Sequence, residues 1–262
     1  MSNRKRMPSY RPWGSTEDGA IEFESLTIET LDGALNVYRE AFCKRENVCQ
    51  AVELLDEPGA VEELGELCLD AARDGVSVVA IDISTREVVG VAFNKIQIRG
   101  NPNEVGSFEQ FSKNCKTKST KALVNFMIDV DAKLDLFKHY NADCILEIMF
   151  LATLDNYKQR RIGELLVSSS LEIGRHLFRG KSVKTPVEIN DNETINNYNS
   201  VPSLVSAIMT SSYSQKISDK LGFDSLIDVS WDEFTYSGKK FSEKIPSFHK
   251  SARLVAKRLS KS

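Results

Sequence analysis

Two stretches of this sequence carry residue types that could do chemistry. The first is Lys158-Gln159-Arg160-Arg161-Ile162-Gly163, which follows the most apolar run of the chain, Cys144 to Ala152, across Asp155-Asn156-Tyr157. A strand that runs into a basic turn and then a helix leaves backbone N–H groups without intrahelical acceptors, and the helix dipole adds positive potential there. A pyrophosphate fits such a place. Lys158, Arg160 and Arg161 add charge, and Gly163 permits close approach of the backbone. Taken alone, a basic turn before a helix is usually just a solvated turn. The second stretch runs from Thr210 to Phe223. Its Ser211, Ser214 and Ser218 are spaced to put three hydroxyls on one face of a short helix. They would serve as well to cap and decorate that helix.

Both stretches need elements to position them. Ile21 to Ile28 alternates apolar and polar, the period of a half-buried strand. Helical spacing follows at Leu35, Val37, Tyr38 and Phe42, and again over 60–73, where Asp74-Gly75 stops it. Val76–Ile83 and Val88–Ile96 read as a hairpin turned at Ser84-Thr85-Arg86-Glu87. Residues 99–116 read as a polar connection, and 120–139 as an amphipathic helix. Cys144–Ala152 suits a central strand, and a helix from about 160 to 178 follows the basic turn. Residues 179–202 look like a loop, and 204–209 like a strand. The short helix then ends at Leu221-Gly222-Phe223, with Gly222 suited to a left-handed cap. The order predicts one mixed α/β domain over 21–238. A frayed segment at 1–20 precedes it, and a basic, partly helical tail at 239–262 follows.

Composition narrows the function classes. The 262 residues carry a net charge of -3, so nothing global points to nucleic acid or an anionic membrane. No apolar run approaches the length of a bilayer span, and the basic start lacks the apolar segment of a secretory leader. Cys43, Cys49, Cys68, Cys115 and Cys144 are scattered without metal-type spacing, as expected of reduced thiols in a cytoplasmic protein. His139, His176 and His249 lie far apart, so packing or surface roles are expected and no metal is implied.

The strand, the basic turn-helix, a further strand and a helix ending in Lys220-Leu221-Gly222-Phe223 occur in an order that resembles the GNAT superfamily of acyl-CoA N-acyltransferases. Arg39-Glu40-Ala41-Phe42-Cys43-Lys44-Arg45-Glu46-Asn47-Val48 looks like the F-F-x-x-E-P-L element of the insect arylalkylamine N-acetyltransferase branch. The resemblance covers roughly residues 20–235. It implies a mixed, mostly antiparallel sheet flanked by helices and splayed where acetyl-CoA binds. The family turn motif reads [QR]-x-x-G-x-[GA]; Lys158 takes its first position, Gly163 its last, and Arg161 stands where the middle glycine is usual. Backbone N–H groups of Gln159 through Gly163, with Arg160 and Ile162 among them, would then bind the pyrophosphate. Backbone groups of Met149, Phe150 and Leu151 would pair with the pantetheine arm.

Glu46 aligns with the family's general base, although Asn47 replaces the proline that usually follows. A base is needed because an alkylammonium is protonated at neutral pH and cannot attack a thioester. Ser218 falls where many relatives place a tyrosine that protonates the leaving thiolate. Ser214 matches a second hydroxyl of this branch, and Ser211 an asparagine that contacts CoA. The implied reaction is direct transfer of acetyl to a small primary amine, an arylalkylamine first, by a monomer or weak dimer. Phe42, Phe150 and the 101–116 loop are candidate pocket residues. The same fold acting on polyamines or amino acids, or with longer acyl-CoA, stays open. So does an inactive acyl-CoA-binding module, suggested by Arg161 and Asn47.

Overall fold

The computed structural model describes residues 12–101, 105–189 and 199–260. In chain order the elements are β1 (Pro12–Ser15), β2 (Ile21–Ser25), α1 (Ile28–Val37), a π-helical turn (Tyr38–Cys43), α2 (Asn47–Ala51), α3 (Ala60–Arg73), β3 (Val78–Asp82), β4 (Val88–Ile98), α4 (Ser107–Asn114), α5 (Lys118–Ala132), α6 (Leu136–Tyr140), β5 (Cys144–Thr153), α7 (Ile162–Phe178), β6 (Leu204–Met209), α8 (Ser212–Lys220), β7 (Asp224–Ser230), β8 (Thr235–Tyr236), β9 (Lys239–Lys240), α9 (Phe241–Lys244) and β10 (Ser251–Arg258).

Eight strands form one sheet in the order β1-β2-β3-β4-β5-β6-β10-β7. Neighbours are antiparallel except β5 and β6, so the mixed, mostly antiparallel sheet expected from the sequence is present. A parallel pair needs a crossover, and α7 is in that connection. Helices cover both faces. On one side α1, α3 and α5 pack over Phe93, Ile145 and Phe150; on the other α7 packs over Ala92, Leu146 and Ile148. Burial on both faces explains why β3, β4 and β5 read as near-continuous apolar runs.

The sheet opens at one place. β5 and β6 pair from Ile145↔Leu204 to Ile148↔Ala207 and then part. On its other edge β5 carries a bulge there: Phe93 faces Phe150, Asn94 faces Ile148, and Met149 is the additional residue. A bulge bends its strand and raises local twist, which turns the end of β5 away from β6. Asn94 is buried opposite the bulge, and its amide donates to the Val76 carbonyl at 2.7 Å and to Ser170 of α7 at 2.9 Å.

Several expected boundaries shift. Residues 12–15 pair with β2 instead of fraying, and 1–11 lie outside the described residues. The connection at 99–116 contains α4; residues 102–104 are outside the described residues, as are 190–198 of the 179–202 loop. The largest correction concerns the tail. Residues 251–258 are a full sheet strand inserted between β6 and β7, with Ala252, Leu254, Val255 and Ala256 buried. Its basic residues disguise it. Arg253 reaches Asp228 at 2.9 Å and Asp219 at 3.2 Å, and Lys257 donates to the carbonyls of Leu221 and Gly222. Residues 261–262 are outside the described residues. Gly222 adopts φ +69 after α8, and the Phe223 N–H returns to the Ser218 carbonyl at 3.0 Å, as its position predicts.

Candidate active site

Where β5 and β6 part, a cavity of about 400 Å³ opens. Its walls are Glu147–Thr153 of β5, Ala207–Ser211 of β6 and its exit, Ala41, Phe42 and Arg45–Val48, and Leu123, Phe126 and Met127 of α5; Lys158, Tyr213, Ser214 and His249 complete it. Met149, Phe150 and Leu151 therefore sit just past the last β5–β6 pair. Peptide groups alternate in direction along a strand, so this stretch presents N–H and C=O groups to the gap.

Glu46 is brought here by an unusual corner. The π-helical turn after α1 is pinned by Tyr38, whose hydroxyl donates to the Val61 carbonyl at 2.9 Å, and by the edge-on contact of Phe42 with Phe150 at 4.9 Å. Such turns are rare and gather at functional sites. Glu46 then caps α2: its Oε2 accepts the Cys49 N–H at 2.7 Å. Its Oε1 accepts the Thr210 hydroxyl at 2.6 Å. Asn47, which the sequence marks as a departure, donates to the Thr210 carbonyl at 2.7 Å. Arg45 donates to the Thr153 carbonyl at 3.0 Å and pairs with Asp155. The corner is thus fastened to the ends of both parted strands.

The serines divide. Ser211 is not on the helix face but is the extended cap residue of α8. Its Oγ accepts the Ser214 N–H at 3.0 Å, and Ser214 Oγ accepts the Ser211 N–H at 3.2 Å, a reciprocal cap. Both line the cavity. Ser218 does not. It is fully buried and donates to the Gln215 carbonyl at 2.8 Å. Seven residues of helix carry it about 10 Å along the axis from Ser211.

The basic turn also divides. Lys158 lines the cavity and pairs with Asp155. Gln159, Arg160 and Arg161 line a second hollow of about 470 Å³ with Thr16, Glu17 and Asp18. Gln159 and Arg161 adopt left-handed φ of +65 and +59, and no side chain caps α7. The helix ladder begins with the Leu165 N–H on the Arg161 carbonyl, so the N–H groups of Ile162, Gly163 and Glu164 precede it. The Ile162 side chain itself is core.

The guanidinium groups have carboxylate partners that the sequence did not disclose. Arg160 pairs with Asp18 at 2.9 Å; Arg161 pairs with Glu164 at 2.7 Å and Glu17 at 3.1 Å. Arg161 holds the Glu164 carboxyl down at about 2. Asp18 is also down at about 2, through the Thr16 hydroxyl, the Ala20 N–H and Arg160.

Sequence reasoning assigned no role to Thr210 and only a packing or surface role to His249. Thr210 heads the serine stretch, but its link to Glu46 spans 164 positions. His249 is 7% exposed, and burial lowers its pKa below the usual value. Its Nδ1 accepts the Ser212 N–H at 3.0 Å, which leaves the proton of the neutral ring on Nε2. Spacing gave no sign of either contact. Among the described residues, no group of three or more His, Cys, Asp or Glu is placed to hold a metal ion.

No protein-family model matches the chain, and neither does any curated protein. Solved structures do. Arylalkylamine N-acetyltransferase 2 of Aedes aegypti superposes with a TM-score of 0.73 at 21% identity, over 92% of this chain and 99% of that one. The Drosophila melanogaster polyamine N-acetyltransferase, which forms N-acetylagmatine, gives 0.69 at 15% identity, over 91% and 100%. A mosquito arylalkylamine N-acetyltransferase-like protein 5b gives 0.66 at 15%, over 91% and 100%. The chain shares the fold of these structures, the GNAT fold that its motif order implied.

Proposed function

We propose that the protein transfers an acetyl group from acetyl-CoA to a small primary amine by direct attack in a ternary complex. The observation that carries this reading is the position of Glu46: a carboxylate fastened between the ends of two parted strands, in a cavity beside open backbone donors. The likeness of the fold to amine acetyltransferases supports it.

The residues present fit acetyl-CoA. The unpaired edge at Met149, Phe150 and Leu151 suits the amide-bearing pantetheine arm. The N–H groups at the start of α7, with Lys158 and Ser211 beside the cavity, suit the phosphates. When bound, the co-substrate supplies an acyl carbon activated as a thioester. Glu46 takes the proton of the incoming ammonium. A carboxylate has about four acceptor positions, and Cys49 and Thr210 use one each, so capacity for the amine is left. Strand N–H groups polarise the reacting carbonyl. Ser214 donates toward the leaving sulfur; Ser218, outside the cavity, keeps a helix role. Phe42, Phe126, Phe150, Leu123 and Met127 favour an amine on an apolar stem, whether the aryl-bearing stem of an arylalkylamine or a plain alkyl chain. Five free cysteines, four of them buried, suit the reducing cytoplasm.

The test is release of free CoA thiol from acetyl-CoA in the presence of a panel of primary amines. Amine-dependent release is expected. Binding of acetyl-CoA with no release for any amine would overturn the reading in favour of an inactive binding module.

A further inference from the structure

One cavity residue is not used by this chemistry. Glu147 lies on β5 opposite Lys95 and Ser206, below the point where the strands part, and lines the cavity floor beside Leu123 and Met127. Only 6% of it is exposed. Its Oε2 accepts the Gln97 amide at 2.8 Å. Its Oε1 makes no hydrogen bond or ion pair among the described residues. Lys95, whose charge acts on Glu147 from the neighbouring strand, makes its ion pairs with Asp74 and Asp70 at 3.0 Å each. Although the side chain is buried, this oxygen is open to the cavity, where an N–H of a ligand can donate to it.

From these contacts we propose that Glu147 binds a second cationic group at the far end of the amine substrate, so that the preferred acceptor is an α,ω-diamine or a guanidinoalkylamine. This rests on the acetyltransferase reading and deepens it. The geometry suits such a molecule. Glu46 is bonded to Thr210, and Glu147 faces Ser206 across the sheet. Four residues of strand separate those two positions, about 13 Å of rise. The reacting amine is held at the Glu46 end, and the stem lies along Phe150, Leu123 and Met127. The distal cation then reaches Glu147. The local charge favours it as well. Desolvation raises the Glu147 carboxyl, and Asp131 on α5 is raised by desolvation and by the charges of Glu147 and Glu109. A cation seated here relieves that repulsion, which a neutral ring or phenol does less well.

The test compares acetylation of a diamine, an n-alkylamine of the same chain length and a phenolic arylalkylamine, first by the unaltered protein and then by Glu147→Gln. The amide keeps the size and the Gln97 contact but loses the charge. The unaltered protein should prefer the diamine over the alkylamine by tenfold or more in kcat/KM, the scale of about one charged hydrogen bond. Glu147→Gln should collapse that ratio through KM. Equal use of diamine and alkylamine by the unaltered protein overturns the inference, independently of how the variant folds. So does a preference confined to the phenol, or a ratio unmoved by the substitution. If no amine releases CoA, the transferase reading itself fails, which is a different result.

Discussion

At the scale of single residues, Glu46 is both a structural cap and the proposed base. Glu46→Gln preserves an acceptor for the Cys49 N–H and removes the base. We expect kcat/KM at neutral pH to drop by about a hundredfold or more. The deficit should shrink as pH rises toward the amine's own pKa of about 10, where free amine is supplied without help. A loss of the same size at every pH would assign Glu46 to structure alone. His249 offers a second residue-scale expectation. Burial lowers its folded pKa below 6.5, so the unfolded chain binds the proton more readily. Its contribution to stability is full above the unfolded pKa and is lost as pH falls through the folded one. His249→Gln should therefore flatten the acid side of the melting-temperature profile relative to the unaltered protein. Unchanged curvature between pH 7 and pH 5 would contradict the assignment.

At the scale of elements, β10 decides the most. It bridges β6 and β7, and its pairing with β6 runs from Arg253↔Met209 to Arg258↔Leu204. A chain ending at residue 238 would leave β6 with an unpaired edge beside the cavity. It would also expose the face that Ala252, Leu254 and Ala256 cover. We expect that truncation to give a chain without cooperative unfolding, followed by far-UV circular dichroism and urea. A solvated tail would be dispensable. The strand was hidden because Lys250, Arg253, Lys257 and Arg258 dominate a short stretch, whereas the alternation of Ala252, Leu254 and Ala256 has small residues and a weak period. The π-helical turn was hidden for another reason. Nothing in Tyr38–Cys43 differs from an ordinary amphipathic helix until Val61 accepts the Tyr38 hydroxyl.

At the scale of the whole molecule, the amino-terminal strand and the basic turn share a surface. Glu17 and Asp18, at the turn after β1, pair with Arg161 and Arg160 beside the start of α7. Those carboxylates compete with any phosphate brought there. Neutralising both, with Glu17→Gln and Asp18→Asn, should lower KM for acetyl-CoA about twofold to fivefold, as expected for exposed pairs. High salt should erase the gain. A raised KM would mean that the pairs position the arginines for the phosphates instead. Taken over the chain, the sequence by itself determined the order of β5, the basic turn, α7, β6 and α8 around the site, though not β10 or α2. Apolar runs, caps and the Gly222 turn are local signals, written within a few residues of where they act. It also singled out Glu46, the basic turn and the cap serines. Tertiary structure alone decided which of these meet. The bulge at Met149 parts the strands, Thr210 finds Glu46 across 164 positions, and Ser218 turns inward while His249 reaches the cavity. Each is a contact between segments far apart in the chain, fixed by sheet register and packing, and no local pattern of residue types encodes it.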